Sequence, residues 1–252
     1  MSEFNQEEFN QFVLNNNVIG FFEEPKILKS KRKSCWYVNW RLNDVFLIEQ
    51  LSDHVINFTK SLGLNPDCFY GVPEGATKLG VITQFKWAKR SSNYGKGSHT
   101  LPMGRGKSKE HGEAKDRYFI GEPQGKIIVV EDVTTTGGSL IDIIGDLKET
   151  GKEIVGAFGL VNRMELTPII GQDNEETVEK FRRSFERATG RKYSEAMSVE
   201  EAVRETGIPY HALGNANLLL KEAYKILNPG EKITRSIEQE FKEYGVERLT
   251  FT

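Results

Sequence analysis

Lys126 to Leu140 reads KIIVVEDVTTTGGSL, and this stretch decides the fold of the 252-residue chain. It opens with an apolar run of the kind that forms a strand buried on both faces of a parallel sheet. Two carboxylates follow, then a turn rich in hydroxyls and glycines, and then a helix that Gly151 ends. A second apolar run, Glu153 to Val161, completes a strand–helix–strand unit. The order predicts an α/β protein with a central, mostly parallel β-sheet flanked by helices.

Flanking segments extend this pattern in both directions. Short strands are predicted at Cys68 to Gly71 and at Ile208 to Leu213, and a turn over 71–75 leads from the first of them into a helix that reaches about Phe85. Further helices are predicted over 5–16, over 44–62 with Asn43 as the cap, over 176–188, and from Ser198 with Glu201 completing a capping box.

Composition excludes several classes of protein. The hydrophobic fraction is 38%, the charged fraction 28% and the formal net charge −2, which is typical of a globular protein without a nucleic-acid or membrane signature. Cys35 and Cys68 form no CxxC pair, so we expect free buried thiols. The acidic, polar N-terminal stretch is unlike a secretory signal, and no apolar run is long enough to span a membrane. We therefore expect a cytoplasmic protein that binds neither nucleic acid nor membrane.

The turn after the first strand has the chemistry of a phosphate cradle. Backbone N–H groups at the start of a helix lack partners, and the helix dipole favours an anion there. Gly137 and Gly138 permit close approach of a ligand to the backbone. The carboxylates of Glu131 and Asp132, at the carboxyl end of the strand, suit vicinal ribose hydroxyls. Hydroxyl donors are expected from Thr134, Thr135, Thr136 and Ser139. The alternative is a simple strand-to-helix turn with solvated acids.

The stretch VVEDVTTTGGS resembles the diphosphoribose-binding motif of the type I phosphoribosyltransferases. The resemblance implies that the loop holds the 5′-phosphate and that the two acids hold the ribose hydroxyls. The donor-binding residues that it implies here are Glu131, Asp132, Val133, Thr134, Thr135, Thr136, Gly137, Gly138 and Ser139.

A second candidate site lies in the glycine-rich, basic loop over 91–115. Loops of this length in compact domains are usually functional or disordered. Cations that close over a departing pyrophosphate and exclude water would serve catalysis at a sugar-phosphate site. Arg105 to Glu113, RGKSKEHGE, is similar to the catalytic loop of orotate phosphoribosyltransferases, which reaches across a dimer interface into the partner's site. The resemblance implies Arg105, Lys109 and His111 as catalytic pyrophosphate ligands, with Lys109 the main cation.

One residue of this loop departs from the family pattern. Gly106 stands where the family usually has a second lysine. Either Lys107 substitutes for that charge or the charge is missing.

Two further segments resemble the family's base-binding elements. Leu28 to Asn39 implies a donor contact from Lys29 and packing of Tyr37 and Val38 on orotate, although Val38 cannot stack as an aromatic ring does. Asn162-Arg163-Met164-Glu165 implies that Arg163 pairs with the orotate carboxylate, because guanidinium and carboxylate match as a two-point fork. Thr135 is expected to contact the base as well as the phosphate.

The turn Gly71 to Ala76 resembles a pyrophosphate-binding turn of the same fold. Pro73 and Glu74 are the implied contacts. Glu74 stands where many members carry a lysine, so we expect the backbone to make the contact, with Mg²⁺ between acid and pyrophosphate as the alternative.

The resemblance implies Mg²⁺-dependent transfer of a phosphoribosyl group to orotate by a homodimer, with Mg²⁺ bound mainly through the diphosphoribose and water. It also implies one domain over 1–252, comprising a hood or base-binding segment (1–40), a mobile catalytic loop (90–116), a helical insertion (166–206) and a C-terminal extension (228–252). The resemblance does not explain the last two segments. Two alternatives stay open: a phosphoribosyltransferase for another base, and a non-catalytic protein that senses diphosphoribose.

Overall fold

A computed structural model describes residues 3–40, 44–106, 111 and 114–251 of the chain. The strands in these ranges are β1 Ile19–Ile27, β2 Lys33–Val38, β3 Cys68–Gly71, β4 Met103–Gly104, β5 Phe119–Gly121, β6 Lys126–Thr134, β7 Glu153–Asn162 and β8 Tyr210–Asn215. The helices are α1 Gln6–Asn15, α2 Val45–Ser61, α3 Thr77–Lys89, α4 Ala114–Tyr118, α5 Gly138–Glu149, α6 Glu175–Thr189, α7 Val199–Glu205, α8 Ala216–Leu227 and α9 Glu231–Tyr244.

The central sheet is parallel and has the strand order β3-β6-β7-β8. Ile127, Ile128, Val129 and Val130 of β6 are fully buried, because helices cover both faces of the sheet. The predicted α/β class, the strand–helix–strand unit and the four strands are therefore confirmed. Register pairs Thr134 with Asn162, so β6 and β7 end side by side and direct the segments that follow them toward one edge.

Glycines set the two ends of α5. Gly137, just before the helix, has φ +77°, and Gly151, just after it, has φ +70°. Both values lie in the left-handed region, which glycine enters without a steric penalty. The helix thus starts directly after the turn that the sequence marked as a phosphate cradle.

The sequence did not predict the antiparallel hairpin of β1 and β2. It also did not predict the helices α8 and α9. Trp36 of β2 is fully buried and stacks 6.3 Å from Phe241 of α9, measured between ring centroids. Ile237, one turn earlier in α9, is also fully buried. The C-terminal helix is thereby packed against the N-terminal hairpin, although the two segments lie 200 residues apart in the sequence.

The 166–206 segment forms the two helices expected of it. The capping box of Ser198 and Glu201 at the start of α7 is present. Helix α6 packs on α5: Arg187 donates to Asp142 Oδ1 at 2.7 Å and to Asp146 Oδ1 at 2.6 Å. Phe181 of α6 is buried beside the phosphate turn. The insertion is therefore part of the wall around that turn.

Three boundaries differ from the sequence-based expectation. Helix α3 continues to Lys89 rather than ending near Phe85. Asp44 is the N-cap of α2 and accepts from the Leu47 N–H, whereas the expected cap, Asn43, lies outside the described residues. The 91–115 loop contributes a short strand, β4, which pairs with β5. Within the described ranges, no helix combines the length and apolar character needed to cross a bilayer.

Candidate active site

A cleft of about 910 Å³ opens at the carboxyl end of β6. The phosphate turn forms its floor, the β1–β2 turn and the 73–74 turn form its sides, and α6 forms a further wall. Among the residues predicted for the donor site, the cleft is lined by Lys29, Pro73, Arg105, Glu131, Val133, Thr135, Thr136, Gly137, Gly138 and Ser139. Sequence positions more than 100 residues apart are thus brought together around one cavity.

The phosphate turn presents its polar groups to this cleft. Thr135, Thr136 and Ser139 are partly exposed, and the Lys29 Nζ donates to the Ser139 Oγ at 3.1 Å. A Cβ added at Gly137 would lie 3.0 Å from Val199 Cγ1, so the backbone is closely backed by the insertion. Free N–H groups at a helix start, next to an ammonium group, form a site for a phosphate monoester.

Thr134 differs from the other hydroxyl residues of the turn. Its side chain is fully buried, accepts a hydrogen bond from Tyr210 Oη at 3.0 Å and also bonds to Glu131. The hydroxyl is therefore committed to the interior, and the structure leaves only its backbone near the cleft.

The acid pair is asymmetric. Glu131 is 5% exposed and one of its carboxyl oxygens, Oε2, has no hydrogen-bond partner. Burial, followed by the charge of Asp132, raises the pKa of Glu131 to about 8, against the opposing effect of Lys29. Asp132 is partly buried, and a Cβ added at Gly75 would lie 2.2 Å from its Oδ2. An unpartnered buried carboxyl oxygen beside the cleft is what a ribose hydroxyl would satisfy.

Two departures from the family pattern lie next to each other. A Cβ added at Gly106 would lie 2.6 Å from Glu74 Oε1. The Glu74 side chain therefore lies in the space beside Gly106, and a larger residue at position 106 would require it to move. Pro73 lines the cleft, and the Pro73–Glu74 peptide bond is cis.

The basic loop is described only at its margins. Arg105 lines the cleft, is held by its backbone N–H to the Tyr118 carbonyl at 2.9 Å, and donates from Nε to the Asp116 carbonyl at 3.1 Å. His111 is exposed. Lys109, predicted as the main catalytic cation, lies outside the described residues, as does Lys107.

Of the residues predicted to contact the base, Tyr37 and Val38 do not line the cleft that the predicted donor residues line. Tyr37 packs against Phe22, with ring centroids 4.9 Å apart, and Val38 packs on the hydrophobic core. Neither residue lines the 910 Å³ cleft, whereas Thr135 does.

Arg163 is 2% exposed and holds a buried ion-pair cluster. Its Nε donates to Glu165 Oε1 at 2.6 Å, and its Nη2 donates to Ser34 Oγ at 2.9 Å and to Glu240 Oε1 at 2.8 Å. The guanidinium lies 3.6 Å from the centroid of the Trp36 ring. Both of these nitrogens are therefore already satisfied by groups of the chain itself.

Sequence reasoning missed Glu240 and Lys180. Glu240 is the buried acid in α9, and a charged residue at that helical position gives no signal that it meets Arg163. Lys180 of α6 lines the cleft opposite the phosphate turn. The position of an insertion relative to a loop 40 residues earlier cannot be inferred from spacing, so no local pattern would have found it.

Comparison with known proteins agrees with this geometry, although no family model matches the chain. The orotate phosphoribosyltransferase of Pyrococcus abyssi is 30% identical over 164 residues, which cover 64% of this chain and 82% of that protein. The crystal structure of the orotate phosphoribosyltransferase of Francisella tularensis superposes with a TM-score of 0.60 at 20% identity, over 94% of this chain and 99% of that one. The Mycobacterium tuberculosis enzyme in complex with 5-phospho-α-D-ribosyl 1-diphosphate gives a TM-score of 0.50 at 15% identity, over 85% of this chain and 98% of that one.

The parallel sheet with a hydroxyl–glycine turn after its acid pair defines a type I phosphoribosyltransferase. Within that class, the chain belongs to the orotate phosphoribosyltransferase family, since it covers most of the length of a 30%-identical member.

Proposed function

We propose that this protein transfers the 5-phosphoribosyl group from 5-phospho-α-D-ribose 1-diphosphate to N1 of orotate. The bond between C1 of the ribose and the diphosphate oxygen breaks, and a bond from C1 to N1 of orotate forms. Pyrophosphate leaves with the electron pair, and the products are orotidine 5′-monophosphate and pyrophosphate. Orotate carries its negative charge on the carboxylate, and the proton of N1 passes to water or to the departing pyrophosphate as the C1–N1 bond forms. Family membership supports the proposal, and the reaction is a step of pyrimidine biosynthesis.

The observation that carries the proposal is the convergence of three donor-binding groups on one cleft. The phosphate turn offers N–H groups and hydroxyls, Lys29 adds a cation beside Ser139, and Glu131 offers an unsatisfied oxygen. Together they match a phosphorylated ribose, with its monoester at one end and vicinal hydroxyls in the middle.

The diphosphate end is proposed to meet the basic loop. Arg105 lies at the edge of the cleft and its guanidinium suits phosphate oxygens. Lys109 and His111 are proposed to close over the pyrophosphate from the partner subunit of a homodimer. Their charge would stabilise the negative charge that builds on the leaving group.

Magnesium is proposed to reach this site with the donor. No cluster of three or more His, Cys, Asp or Glu side chains is present within the described ranges, so the donor set there fits an ion held by diphosphate oxygens and water. When bound, the ion neutralises charge on the departing pyrophosphate. Asp132 and Glu131 are close enough to each other to orient water or ribose hydroxyls beside it.

We propose roles for the remaining segments from their positions around the cleft. Residues 1–40 and 228–252 are proposed to form a hood over the base, since β2 and α9 pack on each other beside Arg163. Residues 166–206 are proposed to close the phosphate side of the cleft through α6. The protein is proposed to act in the cytoplasm, and its charged, globular composition is compatible with that location.

The test is a spectrophotometric assay of orotate consumption, with and without Mg²⁺ and with and without the diphosphoribose donor. Consumption that requires both supports the proposal. Uracil, hypoxanthine and adenine are assayed in parallel, because the engaged state of Arg163 and the aliphatic Val38 favour a second candidate, transfer to another base. Turnover of one of these bases without turnover of orotate would replace the first candidate by the second.

A further inference from the structure

Glu240 occupies a carboxylate-binding site that the chain builds at the end of β7. Its Oε1 accepts from Arg163 Nη2 at 2.8 Å and from Trp36 Nε1 at 3.1 Å. Donors from two different elements, one guanidinium nitrogen of Arg163 and the indole N–H of Trp36, therefore meet on one oxygen. Such an arrangement recognises a carboxylate of any origin, whether it belongs to a side chain or to a ligand.

The site lies next to the phosphate cradle. The backbone N–H of Arg163 donates to the carbonyl of Thr134 at 2.9 Å. Thr134 is the last residue of β6 and directly precedes the turn of the cradle. The neighbouring Thr135 lines the cleft. A pyrimidine attached to a ribose in the cradle would therefore be in the region of this carboxylate-binding site.

The second oxygen of Glu240 is buried without a hydrogen-bond partner. Glu240 itself is 7% exposed, so this oxygen is not satisfied by bulk water either. Leaving a buried carboxylate oxygen without a hydrogen bond is unfavourable, because its desolvation is not compensated. The side chain thus fits the Arg163 site less completely than a ligand carboxylate with both oxygens bonded would.

We propose that Glu240 is a specificity-determining residue, an internal carboxylate that competes with the carboxylate of the incoming base for Arg163. The inference rests on the proposed function for the identity of the base. Helix α9 stays in place during the exchange, because Ile237 and Phe241 anchor it in the core on the same side. The Glu240 side chain alone gives way, and Arg163 remains paired with a carboxylate throughout.

The surroundings of Glu240 are compatible with its release. Burial raises its pKa to about 7, with Arg163 opposing the shift and Glu165 adding to it. Loss of the Arg163 contact removes a group that opposes this shift, so it favours the protonated form of a still-buried Glu240 and avoids a second buried negative charge beside Glu165.

The experiment compares equilibrium binding of orotidine 5′-monophosphate and uridine 5′-monophosphate by calorimetry. The two nucleotides differ in the base carboxylate alone, so their affinity ratio reports on the Arg163 site without requiring turnover. In Glu240→Gln the ratio is expected to shift toward orotidine 5′-monophosphate by about tenfold, which is about 1.4 kcal/mol. The matched control, Glu243→Gln, changes an exposed acid of the same helix and is expected to keep the wild-type ratio.

A ratio that stays the same or falls in Glu240→Gln overturns the proposal, since Glu240 would then support the site rather than compete for it. Glu240→Asp, which retains the charge and retracts it by one methylene, provides the second variant if Glu240→Gln fails to fold, and it is expected to shift the ratio in the same direction by less. The orotate assay is read separately. Absence of turnover in all variants would count against the proposed function, while the nucleotide ratio would still decide the role of Glu240.

Discussion

The proposed sugar-phosphate half and the proposed base half of this site are built in opposite ways. The phosphate turn comes from one continuous stretch, 131–139, and Thr135, Thr136 and Ser139 of this stretch line the cleft. The Arg163 cluster is assembled from β2, the end of β7 and α9, and its donors are already engaged. Local sequence suffices for the first, whereas the second depends on which distant segments pack together. Perturbing each half separately tests this contrast.

The largest effect is expected from the basic loop, which we propose to close the sugar-phosphate half. Lys109→Ala should lower kcat by at least about a hundredfold, because a cation that stabilises developing charge acts mainly in the transition state. Donor affinity should change far less. Steady-state kinetics together with donor binding by calorimetry provide the measurement, and Lys96→Ala, in the same long loop, is the control. Equal losses in both quantities would remove the catalytic role of Lys109.

The next largest effect is expected at Gly137. Its φ of +77° and the 3.0 Å approach of Val199 to an added Cβ leave no room for a side chain without movement of the turn. Gly137→Ala should therefore weaken donor binding by about tenfold and lower stability by about 1 kcal/mol.

Gly190→Ala separates the backbone cost from the site. Gly190 has φ +71°, and an added Cβ meets nothing within 4 Å. This variant should lose similar stability in chemical denaturation and bind the donor normally. If both variants bound the donor equally well, the turn around Gly137 would not be the phosphate site.

A smaller effect is expected at the wall that the insertion provides. Lys180 is exposed and lines the same cleft as the phosphate turn, so Lys180→Ala should raise the KM for the donor by about fivefold, as expected for an exposed charged contact of at most about 1 kcal/mol. Arg183→Ala, in the same helix, is the matched control, because the Arg183 side chain is 72% exposed and is not among the residues that line the cleft. An unchanged KM for Lys180→Ala would make the insertion a passive cover.

A separate effect is a pH dependence of stability. The pKa of Glu131 is raised to about 8 in the folded protein from an ordinary value of 4.5, so the folded chain holds a proton that the unfolded chain releases. Stability from this group is therefore present at low pH and falls as pH rises from 4.5 toward 8. Glu131→Gln should show a flatter decline in urea unfolding across that window. Glu240, with its pKa raised to about 7, adds a decline of the same sign to both proteins.

Glu153→Gln changes an exposed acid at the start of β7 and should follow the wild-type pH profile. A Glu131→Gln profile that is as steep as the wild type would show that Glu131 is charged in the folded protein.

Periodic segments were predicted well from the sequence, because their signals are local. The buried strand at 126–130, the helix after Gly138 and the capping box at Ser198 follow from burial, glycine conformation and hydrogen bonding within a few residues. The hairpin of β1 and β2 was missed because a basic strand with Cys35 and Trp36 reads equally well as surface until its partner is known.

The candidate site also contains both features that local sequence predicts and features that depend on distant segments. The cleft is lined by Thr135, Thr136 and Ser139, as their pattern indicated. The side chain of Thr134 points into the core instead, where its hydroxyl accepts a hydrogen bond from Tyr210 of β8. The pattern of residues 131–139 shows neither where β8 lies in the sheet nor how it is aligned with β7. Side-chain direction at a strand end depends on the neighbouring strand.

The sequence by itself determined the α/β fold, the phosphate turn and the chemistry of the donor, because a strand, two acids and a glycine turn act over nearest neighbours. The tertiary structure alone decided that Glu240 lies on Arg163, that Gly106 lies beside Glu74 and that α6 closes the phosphate side of the cleft. These contacts join residues between 30 and 80 positions apart, and they form only when the packing of the core has brought the separate segments together.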